Sequence, residues 1–316
     1  MKFLVTGCAG FIGSNICDRL LKDGHVVVGI DDFRSGYREN VPVHSNMTFV
    51  KGNINELNTV LFSPSLFDGI EVVIHCAANA RIQPCVIDPR LAKENTDGTF
   101  ELLEFMRSRG IKKIIFSSSS SIYGNNRIPF TEDMWPNCLN SYSLSKLMCD
   151  NYINMYDRLY DINGICLRYF NVWGPREYLD GEWGTVIGKF FRQLLLENKP
   201  LTIVGSGSQR RDFTYIDDVV NANIQATKWV SFYESEVFNV GTEINYSIDE
   251  IANMVLDSLN LSRDFKVYLP SRSAESQETL ADIHRTQAML EWSPTVSIKE
   301  RISDHRDYYK KLWNIK

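Results

Sequence analysis

No stretch of this chain stays apolar for anything near the roughly 20 residues that cross a bilayer. Met1 leads straight into a strand-like run, without the charged and apolar pattern of a leader peptide. Basic tracts are missing too. With 34 lysines and arginines against 39 acids, the net charge of −5 argues against nucleic acid or an anionic membrane as a general partner. Cysteine is sparse and scattered, at positions 8, 17, 76, 85, 138, 149 and 166, without the paired spacing of a metal site. Neither a disulfide scaffold nor a structural metal is expected, and an odd, dispersed count suits a reducing cytoplasm. Cys76 and Cys166 lie in apolar runs and read as small core residues. There is no internal repeat, low-complexity tract or flexible linker. The 316 residues, 44% hydrophobic and 23% charged, therefore suffice for one large core or a main domain with a smaller companion.

The first 32 residues carry the strongest pattern. Lys2 to Thr6 is an apolar, β-prone run that breaks into Gly7-Cys8-Ala9-Gly10-Phe11-Ile12-Gly13. Helical spacing follows, with Ile12, Ile16, Leu20 and Leu21 on one side, a stop at Gly24, and a second apolar run that ends in Asp31-Asp32. Strand, glycine loop, helix, strand and acid is the order a dinucleotide site requires. The glycines allow a tight turn, close approach of backbone N–H groups to a pyrophosphate, and close packing of helix on strand. A carboxylate at Asp31 accepts both ribose hydroxyls and repels a 2′-phosphate, which favours NAD.

Further strands are expected at 47–50, 72–78, 114–116 and 165–171, the third of them running into Ser117 to Ser121. A helix is expected over 95–110, and another over 142–160 behind an Asn140-Ser141 cap. Strands alternating with helices imply a Rossmann-type, doubly wound parallel sheet in an α/β fold, with ligands collecting at the carboxyl ends of its strands. After 171 the pattern loosens. Helices are expected at 186–196, 216–229, 248–259 and 299–310, a short strand at 201–205, and a run at 237–241 that rejoins the main sheet. The expected division is a cofactor domain over 1–171, with about 212–241 returning to it, and a smaller C-terminal substrate-binding α/β lobe over 172–316. His75, inside an apolar strand, reads as a satisfied core histidine.

Of the fourteen tyrosines, only Tyr142 is followed four residues later by a lysine, Lys146. On a helix that spacing places both side chains on one side. A phenol with a pKa near 10 is a poor base at neutral pH, and a neighbouring ammonium favours its phenolate. A serine from the preceding strand end can share the substrate's proton.

These residues resemble those of the extended short-chain dehydrogenase/reductases, and among them the nucleotide-sugar epimerases of the UDP-glucose 4-epimerase type. The matching motifs are GCAGFIG, HCAA, FSSSSSIYG, Tyr142-x-x-x-Lys146, RYFNVWGPR, RRDFTYIDD and FNVG. The resemblance implies that Gly7, Gly10, Phe11, Ile12 and Gly13 hold the pyrophosphate of NAD and that Asp31 and Asp32 sit by the adenosine ribose. It puts Asn53, where the family usually has Asp, and Ile54 by the adenine. Ala77, Ala78, Asn95, Ser117, Ser118 and Tyr169 would line the cofactor as well. Ser119, Tyr142 and Lys146 would be catalytic. On the sugar-nucleotide side, Asn171 and Arg211 would bind the diphosphate, Thr202 and Val204 the uracil, and Arg272 and Glu275 diphosphate and ribose. The implied reaction removes the proton of the sugar 4-hydroxyl at Tyr142 while NAD oxidises C4, and the 4-keto sugar is reduced again from its other face. A homodimer through the helices near 95–109 and 142–160 is implied too.

Within the resemblance, the 4,6-dehydratases follow the catalytic hydroxyl with Asp-Glu, and the UDP-glucuronate decarboxylases place Glu two positions after it. Ser120 and Ser121 stand there in this chain. UDP-glucuronate 4-epimerase shares the serine run, and Arg81 could pair with a carboxylate or serve as a helix-start or phosphate contact. A non-catalytic dinucleotide sensor would be expected to have lost the tyrosine or the lysine. Thr279 aligns with a wall residue beside the sugar's C2 substituent, where a small side chain leaves room for an N-acetyl group.

Overall fold

The computed structural model describes residues 1–58, 64–179, 184–229 and 236–315. Its first half alternates β1 (Lys2–Thr6), α1 (Phe11–Lys22), β2 (Val26–Asp31), β3 (Met47–Lys51), β4 (Val72–His75), α2 (Ile82–Ile87), α3 (Arg90–Arg109), β5 (Lys113–Ser119), α4 (Ser141–Tyr160) and β6 (Asn163–Tyr169). The chain continues through β7 (Asn171–Trp173), α5 (Val186–Leu195), β8 (Leu201–Val204), β9 (Arg210–Tyr215) and α6 (Ile216–Lys228). It closes with β10 (Glu236–Val240), β11 (Asn245–Ser247), α7 (Ile248–Ser258), β12 (Lys266–Leu269), α8 (His284–Leu290) and α9 (Ile298–Leu312).

Seven strands form one parallel sheet in the order β3-β2-β1-β4-β5-β6-β10. Its central strands are apolar on both faces because helices cover both. Phe3 and Val5 of β1 pack on the side of α1 and α6, with Ile16, Leu20 and Val219. Leu4 packs on the other side, with Leu102, Met106 and Ile153 from α3 and α4. The strand order reverses at β1, which pairs with β2 on one edge and β4 on the other, and there a crevice opens above the carboxyl ends.

The expected run 165–171 is split. The chain leaves the main sheet at Phe170, and Asn171–Trp173 pairs instead with β9 in a three-stranded sheet, β11-β9-β7. A third core gathers Trp173, Ile187, Phe190, Phe191, Ile203, Ile251, Val255 and Ile302, from β7, α5, β8, α7 and α9. β8 and β12 form a two-stranded parallel ladder. The expected return to the main sheet is made by β10, which pairs in parallel with β6. Gly181, expected in a loop with Gly184, lies outside the described residues. Among the described residues no helix is long and apolar enough to cross a membrane.

The start of α3 differs from expectation. Helix α3 begins at Arg90, five residues early, and its buried side is Leu102, Leu103, Phe105 and Met106. Phe100 is turned outward against Tyr152 and Tyr156. Helix α4 ends at Tyr160, as expected, and Asp161 after it takes a left-handed conformation, at φ 58°.

Candidate active site

A cavity of about 450 Å³ runs along the crevice, and residues that follow the ends of β1, β2, β4, β5 and β6 line it. One end is built by the first βα turn. Gly7 adopts φ +70°, and a Cβ on Gly13 would strike the Gly7 carbonyl, whose carbon would be 2.8 Å away. Gly10 caps α1 with no side-chain hydrogen bond, and the first turn holds no acid. The positive end of the helix thus faces the cavity with free N–H groups, a setting for a phosphate anion. Asp31 accepts N–H bonds from Ala9 (2.9 Å) and Phe33 (2.8 Å), which fix its carboxylate against the loop. Burial raises its pKa, and those N–H bonds oppose the rise. Asn53 Nδ2 donates to Asp32 at 3.1 Å, so the two polar residues expected by the adenosine form one unit. Asn95 accepts the Asn79 N–H at 2.7 Å and thereby ties the Ala77–Ala80 wall to α3.

These features fit NAD. A side chain could not occupy the loop, the helix end carries no anion of its own, and a carboxylate stands where ribose hydroxyls need an acceptor. The Ser118 hydroxyl is buried in the wall without a hydrogen-bond partner, which leaves a donor for a polar ligand group.

The other end is built on α4. A capping box holds its first turn: Asn140 accepts the Ser143 N–H at 2.8 Å, and Ser143 Oγ accepts in return from the Asn140 N–H. Tyr142 is 9% exposed and lines the cavity. Lys146, 3% exposed, lies one turn on and donates to the Ser117 carbonyl at 2.8 Å. Neither Lys146 nor Ser117 reaches the cavity surface; both stand behind it. Ser119 ends β5, and its Oγ accepts the Ser121 N–H at 3.2 Å and lies 2.9 Å from Ser121 Oγ. Ser119 and Tyr142 face the same space.

Gly7, Gly10, Phe11, Ile12, Gly13, Asp31, Asp32, Asn53, Ile54, Ala77, Ala78, Asn95, Ser118 and Tyr169 all line the cavity, as do Asn171, Arg211, Arg272, Glu275 and Thr279. Thr202 and Val204 do not. β8 buries Leu201 and Ile203, so Thr202 points the other way and accepts from Gln193 Nε2 at 2.7 Å, while the Val204 carbonyl accepts from Gln209. Cys76, expected in the core, lies in the cavity wall with its Sγ 3.3 Å from Ser117 Oγ. His75 is 1% exposed between Thr6 Oγ1 (2.7 Å) and Thr99 Oγ1 (3.0 Å), a satisfied core residue. Arg81 occupies the cap position of α2, and its side chain lines the cavity, where burial lowers its pKa and Tyr142 and Glu177 pull it back up. Gln83, Asn140 and Tyr178 also line the cavity and were missed. Asn140 was visible only as a cap, and nothing in the sequence flags the other two.

The family model described as the NAD dependent epimerase/dehydratase family matches residues 3–241. A UDP-glucose 4-epimerase of Mycolicibacterium smegmatis is 36% identical over 98% of this chain and 99% of its own length. The structure of a UDP-glucose 4-epimerase from Thermotoga maritima, solved with UDP-glucose, superposes with a TM-score of 0.91 at 33% identity, over 99% of this chain and 100% of that one. A UDP-glucuronic acid 4-epimerase from Bacillus cereus, solved with UDP-glucuronic acid and NAD, gives 0.89 at 35% identity over the same shares. The chain belongs to the NAD dependent epimerase/dehydratase family of extended short-chain dehydrogenase/reductases, and NAD is its cofactor.

Proposed function

We propose that the protein is a UDP-hexose 4-epimerase acting on UDP-glucose and UDP-galactose, and on their N-acetylated counterparts. The observation that carries this reading is the meeting of Ser119 and Tyr142 at one end of a cavity whose other end is the glycine turn and Asp31. Arg211 and Arg272 line the same cavity, as a diphosphate between nucleoside and sugar would need.

Tyr142 takes the proton of the sugar 4-hydroxyl in the forward step and returns it in the second. Ser119, oriented by Ser121, holds the same hydroxyl and shares its proton. Lys146, fixed by the Ser117 carbonyl, supplies positive charge that favours the phenolate. NAD, held by the glycine turn and Asp31, would supply a reversible two-electron oxidation at C4 of the sugar. Asn171 and Arg211 hold the diphosphate while the sugar turns. Arg81, in the same wall, favours a second reading in which a UDP-hexuronate is also accepted, its guanidinium meeting the sugar carboxylate.

The test is proton NMR of the purified protein with UDP-galactose and no added cofactor. UDP-glucose anomeric signals are the expected result, and the absence of any 4-epimer across a panel of UDP-sugars, N-acetylated sugars and UDP-glucuronate included, would end the proposal. Tyr142→Phe should keep fold and NAD content while turnover falls about a hundred- to ten-thousand-fold. Near-normal turnover in that variant would remove Tyr142 from its role.

A further inference from the structure

Segment 270–276 gives the cavity part of its wall, through Arg272, Glu275 and Ser276, and is held between two fixed points. On one side, Leu269 ends β12 and pairs with Val204. On the other, the Arg210 N–H donates to Gln277 O at 2.9 Å, and the Thr279 N–H returns to Arg210 O at 3.1 Å. Between them the backbone is irregular, with Ala274 at φ +64°. Two side chains from the far wall meet it. Gln83 Nε2 donates to Glu275 Oε1 at 2.8 Å, and Asn140 Nδ2 donates to Ala274 O at 2.9 Å. The second carboxylate oxygen of Glu275 lies 3.8 Å from Arg211 Nη2.

Arg211 has a side chain only 12% exposed, and a guanidinium that deep needs a counter-charge. Glu275 supplies it, loosely. A diphosphate offers more charge and paired oxygens that a guanidinium fork can meet bidentately. We propose that Gln83 and Asn140 are positioning residues that hold segment 270–276 across the cavity, and that Arg211 passes from Glu275 to the diphosphate when a nucleotide sugar binds. The inference rests on the UDP-sugar reading for its ligand but not for the clasp itself. When Arg211 turns away, Gln83 still donates to Glu275, so the carboxylate keeps a partner and the segment stays down over the nucleotide. Asn140 precedes Tyr142 by two residues, so the same contact that holds the segment also touches the cap of the catalytic helix.

The experiment is amide hydrogen exchange of residues 271–276 in the NAD-loaded protein, first alone and then with UDP. Gln83→Glu sets carboxylate against carboxylate and should speed exchange of those amides about three- to tenfold without nucleotide, the worth of one hydrogen bond. It should weaken UDP binding by a similar factor and raise KM while leaving kcat nearly unchanged. The swap Gln83→Glu with Glu275→Gln restores the bond with donor and acceptor exchanged, and exchange should return to the wild-type rate. A role for Gln83 through packing alone would not be rescued by that reversal. Wild-type exchange in Gln83→Glu, or no recovery in the swap, overturns the clasp. Failure of the wild-type protein to bind UDP would instead overturn the proposed function, since the nucleotide-free exchange reads the clasp alone.

Discussion

The ammonium of Lys146 donates to the Ser117 carbonyl at 2.8 Å and lies 6.0 Å from the centre of the Tyr142 ring. The same charge reaches His75, whose pKa falls to about 3, first through burial and then through Lys146. Unfolded, that imidazole titrates near 6.5. Between those values the unfolded chain binds the extra proton, so the contribution of neutral His75 is complete above pH 6.5 and is lost as pH falls towards 3. Urea unfolding between pH 7 and 4 should show wild type losing more stability than His75→Gln, by up to about 1.4 kcal/mol per pH unit. Parallel pH profiles would show that His75 does not carry this linkage. Thr279 presents a different residue-scale problem. It is 6% exposed, lines the cavity, and its Oγ1 accepts the Asp212 N–H at 3.3 Å. If it is the wall beside the C2 substituent, wild type should accept UDP-N-acetylglucosamine and UDP-N-acetylgalactosamine. Thr279→Tyr should then lose that pair by tenfold or more in kcat/KM through overpacking, while keeping much of the hexose activity, on the order of a 1–3 kcal/mol clash. Wild type inert towards N-acetylated sugars, or a variant that still turns them over, would remove Thr279 as the gate.

At the scale of elements, the β1–α1 turn was legible because its demands are local. Gly7 supplies a positive φ, and Gly13 supplies an approach so close that its own Cβ would collide with the Gly7 carbonyl. Gly24 also has a positive φ, 83°, but nothing lies within 4 Å of its would-be Cβ. Gly24→Ala should therefore cost only backbone strain, roughly 1–2 kcal/mol. Gly13→Ala should also release NAD, which absorbance and mass spectrometry of the purified protein would detect; retained NAD in Gly13→Ala would mean that the turn yields without harm to the site. The seven-stranded sheet was readable for a related reason, since strands buried on both faces are apolar throughout. Other parts depend on partners far away in the chain. Helix α2 has six residues with Pro84 among them and no periodicity to detect, yet it carries Arg81 at its cap and Gln83 in its first turn. Gln83 meets Glu275 across 192 positions, a contact that no local pattern encodes. Thr202 and Val204 fall outside the cavity because the side chains of β8 alternate, and Leu201 and Ile203 are the ones turned into the core.

At the scale of the whole molecule, α4 serves two surfaces. Its inner side carries Tyr142, Lys146, Cys149 and Ile153 into the protein. Its outer side leaves Leu144, Met148, Met155 and Leu159 exposed, at 49%, 40%, 39% and 62%, and Phe100 of α3 stands beside them at 39%. Positions 144, 148, 155 and 159 recur at helical spacing, so these side chains form one stripe, and a stripe of large apolar residues is costly to leave in water. The family resemblance implies a homodimer through these two helices, and burying the stripe against its copy would remove that cost. Sedimentation equilibrium at micromolar concentration should then give twice the 36.3 kDa of one chain. Met155→Glu with Leu159→Glu should yield monomers, because two buried carboxylates per subunit would face their symmetry mates without partners. The substituted side lies away from Tyr142, so the monomer should still bind NAD. Its turnover then reports whether pairing α4 with a second copy steadies the helix that carries the base. A wild-type monomer, or a double variant that still dimerises, would mean that the stripe lies outside any such interface.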